Sequence, residues 1–242
     1  MKKITYDIEW RLEGSHWWFV GRRKLLRSLL TSLELPSNAQ SMDIGCGVGS
    51  NLGLLQSLGF QVVGVDSEIY SLLYARKRFP TLDLVSGDLL RLPLKPNSID
   101  LIIGTDILEH LAEDALGIKE IHRALKKGGK VLFTVPAFNF LWGIQDVAGK
   151  HKRRYSKREL IGRVERQGFE VLKSSYFNFF LFPPILMVRR FVRFLGLEIE
   201  SENQVNFPLI NFLFMKLFSI EPYLLKYLRF PFGVSIFCIA QK

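Results

Sequence analysis

The stretch D-I-G-C-G-V-G-S-N, residues 43 to 51, sets three glycines, Gly45, Gly47 and Gly49, directly behind an acid, Asp43. Glycine carries no Cβ, so such a loop can turn tightly and let a ligand approach the backbone. A nicotinamide dinucleotide site calls for G-x-G-x-x-G, with a helix N-terminus facing the pyrophosphate. Here Ser50 stands where that pattern expects its last glycine, and Asp43 would place a negative charge beside the pyrophosphate. The arrangement suits instead a ligand bearing an ammonium and a sulfonium. Two further acids follow apolar runs. Asp66 ends Q-V-V-G-V-D, where a carboxylate can accept hydrogen bonds from both ribose hydroxyls. Asp88 follows D-L-V-S-G and could accept from an adenine amino group. Three acids at the ends of three successive strands are poorly explained as solvated turns.

Proton transfer and anion binding have their own candidates. His110, in D-I-L-E-H-L, has a side chain that titrates near neutrality, and its roles as general base or as pocket lining both stay open. In H-K-R-R-Y, residues 151 to 155, Arg153 and Arg154 could grip a phosphate or carboxylate of an acceptor bidentately. His151 and Tyr155 could orient or deprotonate that acceptor, and a solvated loop is the alternative. No metal-ligand set is expected, because His110 and His122 lie outside familiar ligand spacings and Cys46 and Cys238 are far apart. Near the N-terminus, H-W-W-F-V-G-R-R leaves two readings. Trp17, Trp18 and Phe19 either cover a ligand mouth, with Arg22 or Arg23 meeting a ligand carboxylate, or form a hydrophobic staple for a helix over 22–33.

The elements that must carry these residues alternate. S-M-D-I-G reads as a first strand and 51–58 as a helix stopped by Gly59; 61–66 is a second strand, followed by a helix through Y-S-L-L-Y-A-R-K-R-F. D-L-V-S-G-D and I-D-L-I-I-G-T-D are a third and fourth strand. A helix from about Glu113 is expected to end at Lys126-Lys127, before Gly128-Gly129. K-V-L-F-T-V-P is a fifth strand, and Ser156 with Glu159 forms a capping-box pattern that opens a helix. Strands alternating with helices imply a mainly parallel, doubly wound α/β sheet whose ligands sit beyond the strands' carboxyl ends.

Asp43 to Gly49, V-V-G-V-D, G-D-L-L-R-L-P-L, D-L-I-I-G-T-D-I-L-E-H-L and L-K-K-G-G-K-V-L-F-T-V-P together resemble the successive motifs of the class I, Rossmann-like, S-adenosylmethionine-dependent methyltransferases. Within that class the chain is similar to the small-molecule enzymes of the ubiquinone/menaquinone-biosynthesis type. The resemblance implies a seven-stranded sheet with an antiparallel last strand, G-F-E-V-L-K-S-S-Y and F-G-V-S-I-F-C-I-A-Q-K forming its closing pair. It implies S-adenosylmethionine as cofactor, its methionine portion on the glycine loop, its ribose on Asp66 and its adenine flanked by Asp88 and Leu89. Thr105, Asp106 and Ile107 would lie beneath the donor. Cys46, Asn51 and Ser67 would stand beside it, and Trp18 and Arg22 would close over it from N-terminal lid helices.

The 242 residues suit a single domain: lid helices over 1–40, a donor-binding core over 41–136, and an acceptor-side loop, helix and strand over 137–176. An apolar helical insertion over 177–232 precedes a closing strand over 233–242. In that insertion Arg189, Arg190 and Arg193 would form a narrow basic stripe on a helix, suiting a membrane interface, a lipid pocket, plain packing or an oligomer contact. The net charge of +10 favours an anionic partner. Together these features point to a small or lipid-like, amphiphilic acceptor, quinone-precursor-like or lipid-linked and anionic. RNA is the competing acceptor, set back by an insertion too apolar for a wet interface, and a non-catalytic donor-binding scaffold is the remaining class. The lack of an apolar h-region after the N-terminal lysines argues against a signal peptide. The cysteines favour a cytoplasmic protein, with peripheral membrane association left open.

Overall fold

The structure is a computed structural model, and it describes residues 3–195 and 207–242. Two helices, α1 (Lys3–Leu12) and α2 (Trp17–Leu30), precede β1 (Gln40–Ile44). There follow α3 (Leu52–Ser57), β2 (Gln61–Asp66), α4 (Ile69–Arg78), β3 (Asp83–Ser86), β4 (Ile99–Thr105) and α5 (Asp114–Ala124). Next come β5 (Leu125–Pro136), α6 (Ile144–Ala148), α7 (Lys157–Arg166) and β6 (Glu170–Phe177). The helices α8 (Phe182–Leu195) and α9 (Pro208–Leu224) separate β6 from β7 (Ser235–Gln241).

The strands form one seven-stranded sheet in the order β3-β2-β1-β4-β5-β7-β6. β1 to β5 pair in parallel, and β7 runs antiparallel to both β5 and β6. The central strands are apolar on both faces, as a sheet covered by helices on each side requires. Met42, Leu101, Ile102, Ile103, Val131, Leu132 and Phe133 are all fully buried. Chain order reverses between β1 and β4, which opens a crevice at their carboxyl ends.

Three local expectations change. α2 begins at Trp17, so the aromatics lie in its first turn and do not precede it as a staple; His16 is the N-cap, its Nδ1 accepting from Trp18 N. Lys126 and Lys127 belong to β5 and not to the end of α5: strand pairing resumes at once after Ala124, with Leu125 opposite Ile99, and Gly128 takes φ +79° inside the strand. The basic stripe also divides. Arg189 turns inward and Nη1 donates to Leu141 O at 2.6 Å, whereas Arg190 is exposed and the Arg193 side chain lies outside the described residues. The Ser156–Glu159 capping box is present as expected.

Candidate active site

A cavity of about 1130 Å³ opens at the carboxyl ends of the strands. Its floor is the turn after β1. Gly45 has φ +69°, and a Cβ there would meet Ile107 Cδ1 at 2.4 Å, so the loop can pass beneath the residues after β4 only as glycine. Asp66, at the end of β2, is oriented by two backbone donors, Gly47 N and Glu68 N, both at 2.8 Å. Burial raises its pKa in spite of those bonds. Asp88 Oδ1 accepts from Leu90 N at 2.9 Å, and Asp88 and Leu89 line the same wall. On the opposite wall Asp106 holds a left-handed φ of +54°, with Oδ2 taking Arg22 Nη1 at 2.5 Å and Oδ1 taking the Thr134 hydroxyl at 3.3 Å. Asn51 Nδ2 donates to Thr105 Oγ1 at 3.1 Å.

Of the residues singled out in the sequence, Trp18, Arg22, Gly45, Cys46, Gly47, Asn51, Asp66, Ser67, Asp88, Leu89, Thr105, Asp106, Ile107, His110, His151 and Arg154 line this cavity. Asp43, Gly49, Arg153 and Tyr155 do not. Asp43 is fully buried beneath the loop with neither oxygen hydrogen-bonded, and burial pushes it up to about 8 although Arg22 and Asn51 pull the other way. The Cys46 thiol is likewise pushed up by burial and by Asp43, so it is not a thiolate nucleophile.

The H-K-R-R-Y segment differs from expectation. Arg154 is 3% exposed and grips Asp146 bidentately, Nε to Oδ1 and Nη2 to Oδ2 at 2.8 Å each, while Nη1 donates to Ala137 O at 3.0 Å. Arg153 reaches Ala112 O at 2.6 Å and Asp114 at 3.3 Å, away from the cavity. Neither therefore serves as the outward acceptor clamp that the residue types suggest. Tyr155 is 1% exposed and donates to Asp114 Oδ2 at 2.8 Å; burial and Asp114 push its phenol up, which removes it as an acid or base at the cavity. What the segment builds is a fixed scaffold. Burial alone would raise Asp146, but its bonds to His151 and Arg154 hold it well below the usual carboxylate range. His151 Nδ1 lies 2.8 Å from Asp146 Oδ1. The rings of His110 and His151 meet edge to face at 4.7 Å. Burial, then the charge of His151, brings His110 down to about 4.

Several cavity residues escape a sequence reading. Glu9 and Tyr6 arrive from α1, Asn178 from the turn after β6, and Ile185 and Arg189 from α8. Glu109, beside His110, is fully buried, with neither oxygen hydrogen-bonded; burial and Asp106 raise it well above the usual range. The L-E-H triplet just past β4 gives no sign of that burial. Glu109, His110 and His151 place ligand-type atoms within 4.8 Å of one another, so two distant segments supply the clustering that linear spacing does not reveal.

The fold is that of the class I methyltransferases, with the cavity at the carboxyl ends of its strands. Comparison with known proteins agrees: residues 42–133 match the "Methyltransferase domain" family. A probable S-adenosylmethionine-dependent methyltransferase of Mycolicibacterium smegmatis is 31% identical over 132 residues, 54% of this chain and 51% of that one. The ubiquinone/menaquinone biosynthesis C-methyltransferase UbiE of Campylobacter jejuni is 25% identical over 72% of this chain and 88% of its own. An S-adenosylmethionine-dependent methyltransferase structure from Mesorhizobium loti superposes with a TM-score of 0.58 at 17% identity, covering 86% of this chain and 94% of that one, a likeness of fold. This chain spans about half or less of the Mycolicibacterium protein and of two other relatives, at 51, 34 and 35% of their lengths. Residues 42–133 thus match a methyltransferase domain on the class I fold, and S-adenosylmethionine-dependent enzymes are among the proteins this chain is similar to.

Proposed function

We propose that this chain transfers the donor's methyl group to an amphiphilic acceptor, quinone-precursor-like or lipid-linked. The carrying observation is the reach of the cavity: it runs from the glycine loop and Asp66 past His110 and His151 to Ile185 and Arg189 of the apolar insertion. In this reading the loop over 45–47 takes the methionine portion, Asp66 the ribose hydroxyls, and Asp88 with Leu89 the adenine. Thr105, Asp106 and Ile107 floor the site. The acceptor nucleophile enters from the His110–His151 side and attacks the methyl carbon in line, at about 3 Å in a near-attack pose. The sulfonium leaves as a neutral thioether, so displacement is favoured where water is excluded. Trp18 and Phe19, packed over the mouth from α2, supply that exclusion.

The acceptor's apolar character is inferred from α8 and α9. Their outer faces expose Met187, Phe191, Leu209, Phe212, Leu213 and Tyr223, while Lys216 and Lys226 stand among them. Apolar residues rimmed by cations suit an anionic amphiphile or its bilayer. Among the described residues no helix is long and apolar enough to cross a membrane, so this contact would be lateral. The test incubates the protein with radiolabelled methyl donor and a cell extract divided into lipid, RNA and water-soluble fractions. Label in the organic-soluble fraction is expected. Label confined to RNA or to water-soluble metabolites would overturn the acceptor class, and donor binding without label anywhere would overturn the activity.

A further inference from the structure

We propose that Glu109, His110 and His151 form a binding site for a single divalent transition-metal ion, on the acceptor side of the cavity. The inference rests on their geometry and does not depend on which acceptor is methylated. Three observations carry it. The first is convergence: one carboxylate oxygen and one nitrogen from each imidazole lie within 4.8 Å of one another and line the cavity. Bonds of about 2.0–2.2 Å to a zinc-like ion put neighbouring ligands roughly 3–3.5 Å apart. Small side-chain rotations would close that gap.

The second is the state of Glu109. Its side chain is fully buried, yet neither oxygen accepts a hydrogen bond. A buried carboxylate without a partner is costly, and a cation is the partner that would offset the cost. Lys152 N does bond this residue, but at its backbone carbonyl, which leaves the carboxylate unsatisfied.

The third is the outer shell. A metal-bound histidine usually donates its other ring N–H to a carboxylate or carbonyl, which fixes the tautomer and the ring. His151 does so through Nδ1 to Asp146, leaving Nε2 for the ion. Asp146 is itself held by Arg154 and by Gly143 N at 2.7 Å. For His110, the Gly149 backbone is the nearby acceptor.

The donor set selects the ion. Two imidazoles and one carboxylate suit zinc, cobalt, iron or manganese, whereas calcium and magnesium call for oxygen ligands. Three protein ligands leave coordination positions open toward the cavity, where an oxygen of the acceptor could enter.

The test is a titration of chelator-stripped protein with Co²⁺, followed by visible absorption, with Zn²⁺ as competitor. The expected result is a saturable spectrum at one equivalent, displaced by Zn²⁺, and a rise in melting temperature on adding Zn²⁺. Glu109→Gln and His151→Ala should each weaken Co²⁺ binding at least 10-fold and lose the Zn²⁺-dependent rise. Donor affinity by calorimetry should stay near wild type in both variants, separating loss of the metal site from damage to the donor site. Glu109→Gln keeps the size of the side chain and introduces no charge, so its metal-free form should melt close to wild type, and misfolding would not explain its loss of cobalt. Absence of a saturable spectrum in wild type would overturn the proposal. So would variants that bind Co²⁺ as wild type does.

Discussion

Arg153 and Arg154 are adjacent and identical in type, yet alanine should affect them very differently. The Arg154 side chain is 3% exposed and Asp146 is 0% exposed, with two 2.8 Å bonds between them and a third from Arg154 to Ala137 O. Removing the guanidinium leaves a buried carboxylate with only His151 and Gly143 N, and strips a bond from a buried carbonyl. Breaking a buried pair from one side costs about 3–5 kcal/mol. For a chain of this size about 2–4 °C of melting temperature corresponds to each kcal/mol, so Arg154→Ala should melt roughly 6–20 °C lower. Arg153 is 27% exposed, and its partner Asp114 lies at 3.3 Å and also holds Arg163 and Tyr155. Arg153→Ala should therefore cost no more than about 1 kcal/mol.

The assay is thermal unfolding followed by circular dichroism, with a third protein as control. Arg154→Met combined with Asp146→Leu removes both charges and should recover much of the loss, because apolar replacement of a buried pair is often neutral or stabilising. If Arg154→Ala melted within a couple of degrees of Arg153→Ala, Arg154 would not be the buried scaffold described here. The outward anion clamp would then return as its role.

Two titrations offer further checks. Burial raises Glu221 to about 7, although it accepts from Asn178 N and Phe180 N. A carboxyl raised in the folded state adds stability that is fully present below its unfolded value near 4.5 and is lost as pH rises through about 7. Denaturant melts should show that loss, up to about 3 kcal/mol at 1.36 per unit, and Glu221→Gln should flatten it; an unchanged slope in the variant would assign it elsewhere. Glu9, half-buried at the cavity, is raised to about 7 by burial, with Arg22 opposing and Asp66 and Asp106 adding. A donor carrying net positive charge favours its ionised form, so calorimetric donor affinity should tighten as pH rises through about 7. Glu9→Gln should weaken that trend, and an identical profile in the variant would exclude Glu9 from donor binding.

The cavity residues at the strand ends were legible because they are tied to strand periodicity. Asp66 and Asp88 follow apolar runs whose period marks strands, and glycines after β1 can be read without knowing what they pack against. Asp43 belonged to the same pattern but points beneath the loop, since a strand residue one position from the turn faces whichever side the pleat dictates. The acceptor half was opaque for a different reason. Arg154, Tyr155 and His151 have the residue types of a binding loop, yet each is engaged by a partner from elsewhere in the chain: Asp146 for Arg154 and His151, Asp114 for Tyr155. Pairing of that kind leaves no periodic trace. Glu109 shows this most sharply, because nothing in L-E-H distinguishes an exposed acid on a turn from a fully buried one.

Helices α2 and α9 pack as one structural unit, which decides how either can be studied. Trp17 N donates to Asn211 Oδ1 at 2.7 Å, and Asn211 Nδ2 returns to Ser15 O at 3.0 Å, tying the start of α2 to α9. Farther along, Gly21 lies against the buried Phe218 ring so closely that a Cβ would stand 2.2 Å from it. That ring also neighbours Trp17 and Trp18 and stacks on Phe177 at the end of β6. Arg22, on the same helix, is paired with Asp106 beside the donor cavity. Deleting the insertion would therefore expose Trp17, Trp18 and Gly21 together and disturb the donor mouth, whatever the insertion does for an acceptor. The proposed acceptor contact can be tested apart from this packing on the outer face of α9, where Leu209, Leu213 and Tyr223 can be changed while Asn211 and Phe218 stay in place.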